Sequence, residues 1–368
     1  MINEKKRKVQ EEALEALRKN DFCGMVILPT GTGKTWVLIE ALKEIYEEGM
    51  SVLYACNSIR LRDEEFNNEL RKWNGDAYSE KIQKECYATT YKYSGNYWDV
   101  LLADEADYAL TPEYSKLFLN NKFKHIILVS ATLDSKKVKL ARSIAPIVYK
   151  KNVKEVEENK IVNKAKFIIL PYILNDKENK RYLAYNKRFG TLMYLPPDKN
   201  RDDRLRALSF DRMHFMSNLD SSIVIVKRAI DDMLRSNKNR KFLIFCASNK
   251  QADKFGYSYH TANEDIDSLN RFNRGDINTL AVCGKIDRGV NLDGVNVIIL
   301  ESFTRSETKM IQRVGRGKRL DVDEILYVII PLPYFKRGKR TEPTIAKRWI
   351  EAAGKNIGIE NAIYHYLK

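Results

Sequence analysis

Three short stretches carry residue types whose order suits phosphate chemistry. Gly24 to Thr35 read GMVILPTGTGKT. Met25 to Leu28 are apolar and partly β-branched, which predicts a buried strand ended by Pro29. Thr30, Gly31, Thr32 and Gly33 then form a loop whose glycines let backbone N–H groups approach an anion closely. Lys34 offers a positive charge to the β- and γ-phosphates of a nucleotide, and Thr35 a hydroxyl to Mg²⁺. A helix over about 35–48 aims its positive end at the same anion. One departure from the general G-x-x-x-x-G-K-[ST] pattern is Leu28 at the first glycine position.

The second stretch is VLLADEAD, Val100 to Asp107. An apolar strand delivers two carboxylates at its C-terminal end, where ligands bind in open α/β sheets. Asp104 is placed to hold the water shell of Mg²⁺, and Glu105 to orient and deprotonate an attacking water. The third stretch, QRVGRGKR from Gln312 to Arg319, supplies guanidinium groups. These are planar, always charged and bidentate, so Arg316 and Arg319 suit the charge that develops during phosphoryl transfer.

These residues need elements to position them. The chain has 368 residues, enough for two domains, and is 44% hydrophobic, enough for real cores. No apolar run reaches 18 residues, so no membrane span is expected. The N-terminal MINEKKRKVQEE lacks the apolar region of a secretion signal. Five scattered cysteines without C-x-x-C spacing predict a reduced, cytosolic protein and no zinc site. The net charge of +15 makes a polyanion, first of all nucleic acid, the expected partner.

Strands expected at 25–28, 51–56, 85–88, 98–103 and 126–130 alternate with helices at 4–19, 35–48, 59–72 and 112–119. That alternation predicts an α/β domain over residues 1–150, built on a mostly parallel sheet with flanking helices. Residues 133–165 are expected to end this domain and form a linker. A mostly helical, basic and Tyr-rich insertion follows over 175–235, after a strand at 167–170. Its Arg181, Arg188, Arg201 and Arg212 stand among Tyr182, Tyr185 and Phe189, a mixture that either grips strands or covers a small core. A second α/β pattern occupies 236–340, with strands at 241–246, 279–283, 295–300 and 325–330. A helical tail is expected over 341–368.

The succession PTGTGKT, DEAD and SAT (Ser130 to Thr132) resembles the superfamily 2 helicases and nucleic-acid translocases. The resemblance runs from about Arg7 to Arg319. It implies two tandem RecA-like domains with ATP and Mg²⁺ bound between them, Mg²⁺ near Thr35 and Asp104. It further implies that Arg7 and Gln10 contact adenine in the manner of the Arg-x-x-Gln that precedes this loop in the family. Gln312 to Arg319 resembles the Q-x-x-G-R-x-x-R motif, with Gln312, Arg316 and Arg319 in the hydrolysis site. Asp287 to Asn291 resembles R-G-x-D, which implies Gly289 and Asn291 near the ribose, with Asn291 where the family usually has Asp. Nucleic acid would meet Ser58 and Arg60, Thr89 and Thr90, and Ser248 and Asn249. A helix cap explains Ser58 and Ser248 equally well.

Within the superfamily, two features turn the resemblance away from the DEAD-box RNA helicases. P-T-R-E-L is absent, ACNSIRLRDE stands in its place, and Gln312 replaces His. The chain is more similar to the DNA repair, recombination and type III restriction-like branch, which includes compact phage helicases. The expectation is therefore a monomeric, intracellular, DNA-dependent ATPase that moves on or remodels DNA. An RNA helicase and a phage DNA-packaging ATPase are the alternatives.

Overall fold

The computed structural model describes residues 4–260, 266–283, 292, 294–301, 307–317, 320–354 and 359–366. They form two compact units. The first is made chiefly of residues 1–164 and the second chiefly of residues 165–368.

The first unit contains β1 (Cys23–Ile27), β2 (Val52–Cys56), β3 (Ile82–Cys86), β4 (Tyr97–Ala103), β5 (Lys122–Ser130) and β6 (Ile147–Lys150). The sheet order is β3-β2-β4-β5-β1-β6, and every pairing in it is parallel. Alternation along the strands feeds two cores. Val26, Val52, Tyr54, Val100, Leu102 and Val129 pack on one face, while Met25, Leu53, Leu101, Ala103 and Leu128 pack on the other. Both faces are covered, so the strands read as unbroken apolar runs rather than as polar–apolar alternation.

Three adjacent strands, β4, β5 and β1, end at one edge of this sheet. Ile27 lies opposite Ser130, and Ala103 opposite Leu128. The phosphate loop, the SAT segment and the DEAD segment therefore leave the sheet side by side. Residues 133–165, expected as domain end and linker, hold a helix at Val138–Ile144, strand β6 on the open side of β1, and a helix at Val153–Glu158. β3 begins three residues before the expected start. Its centre (Gln83, Lys84, Glu85) is polar because it is an edge strand, which tolerates such residues.

The second unit contains β7 (Lys164–Ile173), β8 (Phe242–Cys246), β9 (Ser258–His260), β10 (Thr279–Cys283), β11 (Val297–Leu300), β12 (Ile325–Arg337), β13 (Arg340–Pro343) and β14 (Ile363–Tyr364). The order is β14-β7-β12-β11-β8-β10-β9, with β13 antiparallel on β12. Helices Asp176–Met193, Lys199–Met216 and Asp220–Ser236 fill the expected insertion. The expected helical tail is a correction. Gly338, at φ +61, turns β12 back into β13, one helix covers Ala346–Gly354, and β14 pairs with β7 through Ile363–Ile168 and Tyr364–Ile169. Among the described residues no helix is long and apolar enough to cross a membrane.

Among the described residues of this unit, Glu178 and Glu301 are buried acids. Glu301 follows β11, and both its oxygens lie within 2.8 Å of the Ser222 hydroxyl. Burial pushes its carboxyl up to about 8, against the opposing pull of the Ser222 hydrogen bond. The unfolded carboxyl ionises near 4.5. Between those values the folded state holds a proton that the unfolded state has released, so stability falls as pH rises from about 4.5 toward about 8 and is level above. Glu301→Gln keeps a hydrogen-bonding partner for Ser222 without the ionisation. It should raise the melting midpoint at pH 8 and show a smaller difference at pH 5.5; parallel melting curves across that range would refute the assignment.

Candidate ATP site

The site grows from the C-terminal ends of β1, β4 and β5. After β1, Thr32 donates its hydroxyl to the Pro29 carbonyl at 2.6 Å, closing the loop on itself. Gly31 and Gly33 take φ values of +89 and +93, which side-chain-bearing residues rarely adopt. Gly33 precedes helix Lys34–Ile45, whose first turn has no side-chain cap. Its N-terminal N–H groups thus have no side-chain acceptor, the arrangement that suits a phosphate. Lys34 is itself buried, so its charge acts in a medium that screens it weakly.

Helix Glu4–Arg18 braces this loop from behind. Gln10, 2% exposed, donates its amide N–H to the Thr32 carbonyl at 2.9 Å. Its amide oxygen is buried without a hydrogen-bond partner among the described residues. Arg7 lies over the Trp36 ring at 4.3 Å and pairs with Glu11 at 3.5 Å. An orphaned acceptor at Gln10 fits a base that offers an exocyclic amine.

Asp104 and Glu105 stand at the end of β4. Asp104 is buried, and its Oδ1 accepts the Glu105 N–H at 2.8 Å. The Tyr54 hydroxyl is 3.4 Å from its Oδ2, and the Tyr87 hydroxyl donates to its carbonyl at 2.7 Å. Burial first, and then the Glu105 charge, push the Asp104 carboxyl up to about 7, while the Lys34 ammonium opposes them. A carboxylate held this dry lacks sufficient positive charge, which a divalent cation supplies. The donor set therefore fits Mg²⁺, with Asp104 and Thr35 as its protein side. Glu105 occupies the left-handed region at φ 50, ψ 46, and its Oε2 is buried without a partner among the described residues. Strain and an unsatisfied acceptor at one residue are features of reactive positions.

Ser130, at the end of β5, sits 2.9 Å from Asp107 Oδ1 and 2.8 Å from the Thr132 carbonyl. Lys137 donates to the Asp107 carbonyl at 2.5 Å. Tyr54, Tyr87 and Lys137 carry no motif signal, because they act through space on the turn, and the sequence assigns Asp107, the last residue of DEAD, no role of its own.

The remaining sequence-predicted residues fall on elements of both units. Ser58 accepts the Leu61 N–H at 3.4 Å as a helix cap, and Arg60 pairs with Glu64 at 3.3 Å. Thr89 is exposed but Thr90 is fully buried. Ser248 caps helix Asn249–Asp253 by accepting the Gln251 N–H at 3.2 Å, and Asn249 is exposed. In the second unit, Gln312 (on helix Glu307–Gly315) and Arg316 just after it are both buried. Gly317 has a structural reason, since a Cβ there would lie 2.2 Å from Leu326 on β12. Gly289, Asn291 and Arg319 lie outside the described residues. In the insertion, Arg212 stacks on Phe189 at 3.9 Å and Arg181 on Phe215 at 4.8 Å, so these basic and aromatic residues cover one another.

Comparisons with known proteins follow the same division. Residues 3–135 match the family model described as type III restriction enzyme, res subunit, and residues 226–321 match the helicase conserved C-terminal domain. No curated protein matches the sequence. Among solved structures, Saccharomyces cerevisiae Dbp5 bound to RNA and ADP BeF3 is similar at 16% identity and a TM-score of 0.60, covering 98% of this chain and 89% of that one. The helicase domain of Pyrococcus furiosus Hef is similar at 14% identity and a TM-score of 0.54, covering 92% of this chain and 97% of that one. The ATP-dependent type ISP restriction-modification enzyme LlaBIII bound to DNA shares 14% identity and a TM-score of 0.62, covering 95% of this chain but 29% of that one. At these identities the structures support the tandem RecA-like fold.

Gly33 gives a test of the loop. A Cβ at this position would sit 2.0 Å from the Gln10 amide nitrogen. Gly33→Ala should lower affinity for a non-hydrolysable ATP analogue by about tenfold or more, on the scale of one strained backbone position. Gly49→Ala is the control, being at φ +90 with open space around it. Calorimetric titration of both variants checks this, and equal affinities would remove the loop from nucleotide binding.

Proposed function

The chain belongs to superfamily 2 of the helicases, nucleic-acid-dependent ATPases, and from that premise we propose that it is a DNA helicase or translocase. The observation that carries the reading is the set of strand ends in the first unit. They hold an uncapped helix N-terminus after a glycine loop, a dry Asp104 and a strained Glu105 side by side. Lys34 and the loop N–H groups hold the β- and γ-phosphates, and the Gln10 oxygen accepts from the base. Thr35 and Asp104 hold Mg²⁺, which when bound neutralises phosphate charge. Glu105 takes the proton of the attacking water with its unsatisfied oxygen. Arg316 and Arg319 stabilise the charge that develops on the transferred phosphoryl group, and Gln312 assists in positioning.

Three features support DNA. The first-unit family model is that of a type III restriction enzyme subunit, Gln312 stands where the RNA branch has His, and P-T-R-E-L is missing. The similar structures include one bound to DNA and one bound to RNA, so they weigh on neither side. Five free cysteines fit a reducing interior, in keeping with a motor that acts in the cytoplasm.

ATP hydrolysis should rise with single-stranded, duplex or branched DNA more than with RNA of matched length. A phosphate assay across that panel decides, and stimulation by RNA alone would replace DNA by the RNA alternative. Arg316→Ala should cut the stimulated rate by on the order of 10³-fold or more while leaving ATP affinity near wild type. DNA affinity should fall steeply between low and high salt, as counterion release requires; a flat salt response would exclude a phosphate-tracking surface.

A further inference from the structure

A cluster of four tyrosines stands beside the DEAD turn, and three of them, Tyr91, Tyr108 and Tyr114, have no part in the hydrolysis described above. Tyr108 and Tyr114 stack with ring centroids 5.4 Å apart and an interplanar angle of 28°. Tyr91 meets Tyr114 edge-on at 5.6 Å, and Tyr87 lies 6.4 Å from Tyr108. The cluster is graded in depth. Tyr87 is fully buried, Tyr91 and Tyr114 are half-buried, and Tyr108 is 37% exposed. Its floor is tied to the catalytic turn, because the Tyr87 hydroxyl donates to the Asp104 carbonyl and the Tyr108 N–H to the Glu105 carbonyl. Its rim is polar. Exposed Thr89 and Lys92 follow β3, the Lys92 ammonium lies 5.7 Å from the Tyr91 ring, and Glu113 and the carboxylates of the DEAD turn are the neighbouring acids.

We infer that Tyr108, backed by Tyr114, is a stacking platform for one base of a single-stranded nucleic acid. The occupant follows from the chemistry. A ring that is 37% exposed and already stacked on a second ring offers π-surface to any base, a mode of binding that tolerates sequence. Lys92, over the Tyr91 ring of the same cluster, and the chain's net charge of +15 favour a strand's phosphates over an acidic or apolar protein partner. The platform sits three residues from Glu105 on the same short helical turn, so a base resting on it bears on the turn that holds the catalytic carboxylate. The inference rests on the proposed nucleic-acid-dependent activity and names which part of the strand this unit reads: its bases, in addition to its backbone.

The test is fluorescence anisotropy on the full chain, with a labelled single-stranded oligonucleotide and its abasic counterpart of equal length and charge. Wild type should prefer the strand that carries bases. Tyr108→Ala should weaken binding to that strand by about 5-fold to 100-fold, the range for loss of one aromatic stack, and leave the abasic strand unaffected. Tyr108→Trp should keep the preference and show indole quenching on binding, which a loss of folding would not give. Equal loss on both strands, or no loss on either, overturns the platform while leaving a backbone-tracking motor intact. Failure of wild type to bind either strand overturns the nucleic-acid reading itself.

Discussion

The first unit depends on a carboxylate kept out of water. Asp104 ends a strand whose last four residues are buried, and its environment supplies hydrogen bonds from the Glu105 backbone and Tyr54 but too little positive charge. A group in that position resists ionisation. Positive charge favours its ionised form, which Lys34 supplies in part and a divalent cation would supply further, and the phosphate loop that carries Lys34 leaves the sheet at the same edge. Parallel pairing of β4, β5 and β1 delivers this, since parallel strands end on the same side and their following loops gather there.

Support for the site comes from behind as much as from within. Gln10 reaches the loop, and Arg7 the Trp36 ring on the following helix, from a helix that begins before the sheet does, and Gly33 exists in part to make room for Gln10. Glycines elsewhere perform the same service for packing. Gly24 on β1 faces Val148 so closely that a Cβ would lie 2.7 Å from a methyl, which is how β6 comes to lie against β1. Gly317 does this for the arginine segment against Leu326. Motif glycines are therefore a mixture of conformational necessity and close approach, and only coordinates separate the two.

Much of this was legible in the sequence, for reasons that differ by residue. Strands such as Val52–Cys56 and Thr279–Cys283 announce themselves because both faces are buried and the run is apolar. The phosphate loop and the DEAD turn were legible because their chemistry restricts residue type at each position. β6 and β14 were not, because short edge strands with one open side need little apolar character and borrow their conformation from the neighbour they pair with. Thr90 was expected at a surface and is buried, since β3 ends one residue before a helical turn that rotates it inward. Tyr54 and Tyr87 reach Asp104 from strands and turns distant in sequence, and no spacing rule encodes that meeting.

The left-handed backbone at Glu105 bears on how such a protein drifts. Asparagine or glycine adopts that conformation with less strain, so chains that lose the carboxylate fold at least as well as those that keep it. Stability alone therefore offers no protection to the residue. A lineage released from the need to hydrolyse nucleotide would shed Glu105 early while Asp104, walled in by Tyr54 and Tyr87, persisted. Inactive descendants of this fold should be recognisable by a relaxed turn beside an intact loop.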